Sequence, residues 1–153
     1  MGIIPQFFTL TSRGCEDKEE VKLLKILIVE DMDSVAREMA RALEGLGEID
    51  LCTPPSVEEV GGDFMKVRMP SLEKALELLT TADVVLMDRD LGTSYSSKEL
   101  LPHCGGKKVI SISVSSIPGM ISWTRKLDLR DDKPEVAQSL RALVSKVISG
   151  LLL

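Results

Sequence analysis

Two apolar runs of this chain end abruptly in carboxylates. Lys25-Ile26-Leu27-Ile28-Val29 leads straight into Glu30 and Asp31, and Val84-Val85-Leu86-Met87 closes on Asp88, with Asp90 two residues further on. Aliphatic stretches with no polar interruption are the mark of strands buried on both faces. In an open parallel sheet, ligands bind outside the carboxyl ends of the strands. If the two runs are parallel neighbours, Glu30, Asp31, Asp88 and Asp90 come to one rim. Carboxylates so crowded repel one another unless a cation sits among them. Hard oxygen ligands with room for water suit Mg²⁺.

The elements that must hold this rim can be read along the chain. Residues 1–22 form an arm, apolar at first and then charged, and residues 23–153 form the domain. Val35, Met39, Ala42, Leu43 and Leu46 recur at helical spacing after the first strand. Asp33 or Ser34 can cap that helix and Gly47 can close it. Ile49 to Thr53 is a short second strand. Residues 54–70 are an insertion, with Pro54-Pro55 and Gly61-Gly62 in its first part. Within it, Phe64 to Met69 alternates like an edge strand or hairpin arm. Ser71 can cap a helix with Leu72, Ala75, Leu76 and Leu79 on its apolar face. After the strand ending at Asp88, the pattern predicts a short helix from Ser97 to Leu101 ended by Pro102. A strand from Val109 to Val114 follows. Met120 to Trp123 reads as a short helix and Leu127 and Leu129 as a weak strand. A last helix opens at Pro134, a first position that tolerates proline. This alternation predicts an α/β fold, a flavodoxin-like doubly wound parallel sheet of five strands with an insertion after the second.

Bulk properties narrow the function. At 153 residues, with 44% hydrophobic and 28% charged residues, the chain reads as one ordinary globular domain. A net charge of −5 argues against nucleic-acid and anionic-membrane partners. Three Phe, one Tyr and one Trp provide no platform for stacking bases. Cys15, Cys52 and Cys104 lack metal-ligand spacing and suit a reducing, cytoplasmic setting. No basic segment precedes the apolar start, so no signal peptide is read there.

Four segments in order resemble the receiver domain of bacterial two-component response regulators. Val29-Glu30-Asp31 is similar to that family's acidic pair after the first strand. Val85-Leu86-Met87-Asp88 is similar to the strand ending in the phosphoacceptor aspartate. Val109 to Ser113 matches the fourth strand with its terminal hydroxyl, and Lys133-Pro134 the pair opening the last helix. The resemblance spans Leu24 to the C-terminus. It implies a single-domain phosphoacceptor: Asp88 takes a phosphoryl group from a histidine kinase or phosphotransfer protein, and output is by protein contact. It also implies Mg²⁺ held by Glu30, Asp31, Asp88 and the main-chain carbonyl of Asp90. Lys133 would hold the phosphoryl oxygens and Ser113 would sense them. Lys126 is the rival for the lysine role and Ser115 for the hydroxyl role; His103 reads as a loop residue. Monomer and homodimer are both compatible with the pattern.

The chain departs from the family in four places. Asp31 and Asp88 are further apart, through the insertion. Gly92 stands where proline is usual. The segment around Arg130-Asp131-Asp132 is a poor fifth strand. Arg130 also stands three residues before Lys133, where a switch aromatic is expected. A receiver that binds partners without being phosphorylated is therefore a second reading. A third is a haloacid-dehalogenase-type phosphatase, with Asp88 as nucleophile and Asp90 as general acid.

Overall fold

The computed structural model describes residues 23–93 and 95–152; the expected arm, residues 1–22, lies outside them. Five parallel strands form one sheet: β1 (Lys25–Val29), β2 (Glu48–Cys52), β3 (Val84–Met87), β4 (Lys108–Ser111) and β5 (Ile121–Ser122). Their order is β2-β1-β3-β4-β5, the flavodoxin-like order. Four helices, α1 (Asp33–Ala42), α2 (Leu72–Thr80), α3 (Ser97–Leu100) and α4 (Pro134–Leu152), complete the layers.

Strand alternation divides the core in two. Ile26, Ile28, Val84 and Leu86 pack with Ala36, Met39 and Leu43 of α1 and Val136, Leu140 and Val144 of α4. Leu27, Val29, Val85 and Met87 point the other way, against Ala75 and Leu79 of α2 and Leu100 of α3. Both faces of β1 and β3 are thus covered, which explains their uninterrupted apolar sequence. The register Val29↔Met87 sets the two strand ends level, so the acids that follow share one rim.

Several local expectations change. Helix α1 is capped by Met32, without a side-chain cap bond; Asp33 is its first residue rather than its cap. An acid there still faces the positive end of the helix dipole. Ser71 does cap α2, its hydroxyl accepting the Lys74 N–H at 3.1 Å. Helix α3 closes a capping box between Ser96 and Glu99. Pro102 does not stop the chain turning but sits in a 3₁₀ turn, Leu101–His103, with Pro in its first turn, where no N–H is needed. Phe64 to Met69 is not a strand: Phe64–Lys66 is a 3₁₀ turn, because Asp63 accepts the Met65 N–H at 3.0 Å and bends the chain.

The largest change is at the far edge. Residues 112–120 connect β4 to β5 without a helix, and Ile121 and Ser122, expected to be helical, are the fifth strand. Leu127 and its neighbours form a 3₁₀ turn, Lys126–Asp128, rather than a strand. No described helix is long and apolar enough to cross a membrane.

Candidate functional site: an acidic cluster around Asp88

Glu30 continues β1 by one residue, with its N–H bonded to the Cys52 carbonyl at 3.1 Å. Asp88 continues β3, its N–H bonded to the Val29 carbonyl at 3.0 Å. The sheet ladder therefore holds both acids rigidly. Carboxylate oxygens of Glu30, Asp31 and Asp88 lie within 4.8 Å of one another. Glu30 and Asp88 are buried, and Asp31 is partly open. The Asp90 side chain turns to solvent, 4.0 Å from Arg89 Nε.

The cation in this cluster is Lys126. Its Nζ donates to Glu30 Oε1 at 2.7 Å and Oε2 at 3.2 Å, and to Asp88 Oδ2 at 2.8 Å. Lys133, the expected residue, is elsewhere, 3.8 Å from Asp128 at the surface. The reason is the early fifth strand. With β5 at Ile121–Ser122, the chain regains the rim at 123–126, well before the turn that opens α4.

Ser113 holds the hydroxyl position. Its Oγ donates to Asp88 Oδ1 at 3.4 Å and accepts the Arg89 N–H at 3.0 Å. The same N–H also reaches Asp88 Oδ1 at 2.8 Å. Ser115 is exposed, as is His103 on its 3₁₀ turn. Asp88 is thus framed by an ammonium on one oxygen and by two neutral donors on the other.

No protein-family model and no curated protein matches the sequence. Among solved structures the chain is similar to one described as a BeF3-activated DrrB receiver domain. The two share 19% identity over 84% of this chain and 99% of that one, with a TM-score of 0.46. The functional argument therefore stands on the geometry of this site.

That geometry carries surplus negative charge, three carboxylates against one ammonium. Burial raises the Glu30 pKa from 4.5 to about 7, and the neighbouring Asp31 and Asp88 carboxyls add to the rise against the pull of Lys126. Burial alone would lower the Lys126 pKa, but the bonds to Asp88 and Glu30 outweigh it and the net shift is upward. Both shifts favour the protonated forms, Glu30 chiefly through its burial and Lys126 through its bonds to the two carboxylates. Three oxygen donors of this kind fit a hard divalent cation that keeps some of its water.

Two further features frame the site. Gly92 has φ +61°, and a Cβ there would lie 3.4 Å from Asp31 Oδ2. Proline, fixed near −65°, has no access to that backbone, so the loop after Asp88 follows its own path. Three residues before Lys126 stands Trp123, buried in the core shared with α4. The expected absence of an aromatic was read at Arg130 by counting back from Lys133, whereas the lysine bonded to Asp88 is Lys126. Trp123 Nε1 donates to Ser139 Oγ of α4 at 3.0 Å. Sequence reasoning named both Lys126 and Trp123 but gave neither the leading role. The alternation Ile121-Ser122-Trp123 was the available signal.

Proposed function

We propose that this chain is a receiver-type phosphoacceptor in which Asp88 accepts a phosphoryl group from a phosphohistidine protein. The observation that supports it most is the double contact of Lys126 with Glu30 and Asp88, opposite Ser113. It leaves a buried carboxylate nucleophile flanked by the charge and hydroxyl that a transferred phosphoryl group needs.

In the transfer, an Asp88 carboxylate oxygen forms a bond to phosphorus as the phosphorus–nitrogen bond of the donor breaks. The donor ring, protonated on its other nitrogen, leaves as neutral imidazole and the product is an acyl phosphate. No general base is required, since an ionised carboxylate attacks directly. Lys126 has only to move from Asp88 Oδ2 to the arriving phosphoryl oxygens. The Arg89 N–H and the Ser113 hydroxyl lie ready for another oxygen. Glu30, Asp31, Asp88 and the Asp90 main-chain carbonyl would hold Mg²⁺, which would supply further positive charge to the phosphoryl oxygens. Trp123 and its bond to Ser139 offer a route from the site to α4, and output is by protein contact.

Acetyl phosphate with Mg²⁺ should label the protein once, with a hydroxylamine-labile bond, and Asp88→Asn should abolish the label. A label that survives in that variant would overturn the reading. Steady turnover of generic phosphate esters would favour a phosphatase. Failure to label the wild type would leave a binding module that is never phosphorylated.

A further inference from the structure

The insertion is the large element of this fold that the site chemistry does not use. It is the connection from β2 to α2, so it leaves and re-enters the sheet layer on the carboxyl rim, the rim of Asp88. It is braced at both ends. Glu59 Oε1 accepts from Arg37 Nη2 of α1 at 2.8 Å and from the Ser56 N–H at 2.7 Å. At the other end, the Tyr95 hydroxyl donates to the Pro70 carbonyl at 2.5 Å. Helix α1 follows directly on Glu30 and Asp31, and Tyr95 lies in the loop that follows Asp88. Both braces therefore tie the insertion to segments that leave the acid cluster.

Between the braces, the 3₁₀ turn is fixed by Asp63 and by the Arg68 Nε bond to the Met65 carbonyl at 2.9 Å. It holds two adjacent apolar side chains outward, Phe64 at 74% and Met65 at 72% exposed. Single exposed apolar residues need no explanation, but an adjacent pair on a braced loop that leaves the rim of Asp88 does.

We propose that Phe64 and Met65 form the docking point for the protein that delivers the phosphoryl group to Asp88; this rests on the phosphoacceptor reading. Asp88 is only 7% exposed, so a protein-borne donor reaches it with its surface laid across the rim. Strand β2 lies two places from β3, about 10 Å at the usual strand spacing. A protein–protein footprint of roughly 800 Å² per partner centred on Asp88 therefore covers the loop leaving β2. Aromatic and Met side chains are the types enriched at the centres of such footprints. Exposed Asp63 precedes the pair and exposed Lys66 and Arg68 follow it, so the matching surface is an apolar patch edged by charges of both signs on a phosphohistidine protein.

The test compares a small donor with protein donors. Autophosphorylated histidine kinases and phosphotransfer proteins of the source organism are each presented to the wild type and to a Phe64→Ser, Met65→Ser double variant. Acetyl phosphate is the small donor. The expected result is a rapid protein donor for the wild type, at least tenfold slower transfer to the double variant, and acetyl phosphate labelling within twofold of wild type. Phe64→Leu with Met65→Leu should restore the fast transfer. Equal transfer to wild type and double variant overturns the proposal. So does a double variant that loses both donors alike, since the pair is then structural. A wild type labelled by acetyl phosphate but by no protein donor overturns it too. A wild type labelled by neither overturns the phosphoacceptor reading instead. Co-sedimentation with phosphatidylglycerol vesicles that depends on Phe64 and Met65 would assign the pair to a lipid surface and overturn the proposal.

Discussion

Lys126 is the residue on which the site balances. Its ammonium bonds two buried carboxylates, Glu30 and Asp88. Removing one partner of a buried ion pair leaves uncompensated charge, at a cost of roughly 3–5 kcal/mol. Lys126→Met should therefore lower unfolding free energy by about that amount in urea titrations. It should also abolish acetyl phosphate labelling. Lys133→Met removes only a long surface contact with Asp128 and should change stability by less than about 0.5 kcal/mol. Equal effects of the two substitutions would remove Lys126 from the site. Glu30 adds a pH dependence. Its folded pKa is raised from 4.5 to about 7, so its contribution to stability is fully present below 4.5 and is lost as pH rises through 7. Divalent cations need the ionised form, so Mg²⁺ binding should strengthen over the same interval. Melting curves between pH 5 and 8 should show the metal-free protein losing stability while the Mg²⁺-induced gain grows. Glu30→Gln should flatten both trends, and persistence of either slope would assign it to another group.

At the scale of elements, the tight entry to β2 makes a sharp test of the sheet. A Cβ on Gly47 would lie 2.6 Å from the Leu24 carbonyl oxygen, which itself accepts the Glu48 N–H at 2.8 Å. Gly47→Ala must push β2 away from β1, an overpacking cost of roughly 1–3 kcal/mol. Amide exchange should speed up first along Glu48–Cys52; unchanged exchange there would show that the turn can yield freely. The legibility of each element follows from its burial. Strands β1 and β3 are covered on both faces, so their sequences are continuously apolar and their acid tips stand out. Helices α2 and α4 carry one apolar stripe each, with Ser71 and Pro134 marking their starts. Strand β5 is two residues long at an edge, with Ile121 partly exposed, and no periodicity develops over so short a span. The Lys-Pro pair at 133–134 was the more visible signal, and it marks a helix start rather than the rim. The choice of Lys133 over Lys126 and the search for an aromatic at Arg130 thus share one origin, the placement of the fifth strand. The acids, Asp88 and Ser113 were legible because they end strands that the apolar pattern does define.

At the scale of the whole molecule, phosphorylation of Asp88 as proposed would have its outlet through the core face shared by α1 and α4, where Trp123 packs with Val136, Leu140 and Val144. Residues 112–120 join β4 to β5 without a helix, so a movement of Ser113 toward a bound phosphoryl group would have no helix there to displace. On the proposed reading it would pass along those residues to β5, and from Trp123 to α4. Trp123 is the only tryptophan in the chain, which makes its fluorescence a direct report of that path. Beryllofluoride with Mg²⁺ should change its emission, and Asp88→Asn should remove the response. Ser139→Ala deletes the partner of the indole N–H, a net loss of about 1 kcal/mol in stability. It should leave acetyl phosphate labelling intact while altering the emission change. The amide shifts caused by beryllofluoride should extend into the first turns of α4 in the wild type and shrink there in Ser139→Ala. If they stop at Ser113 in both proteins, Trp123 is a packing residue alone, and the rim with its insertion is the surface that changes on phosphorylation.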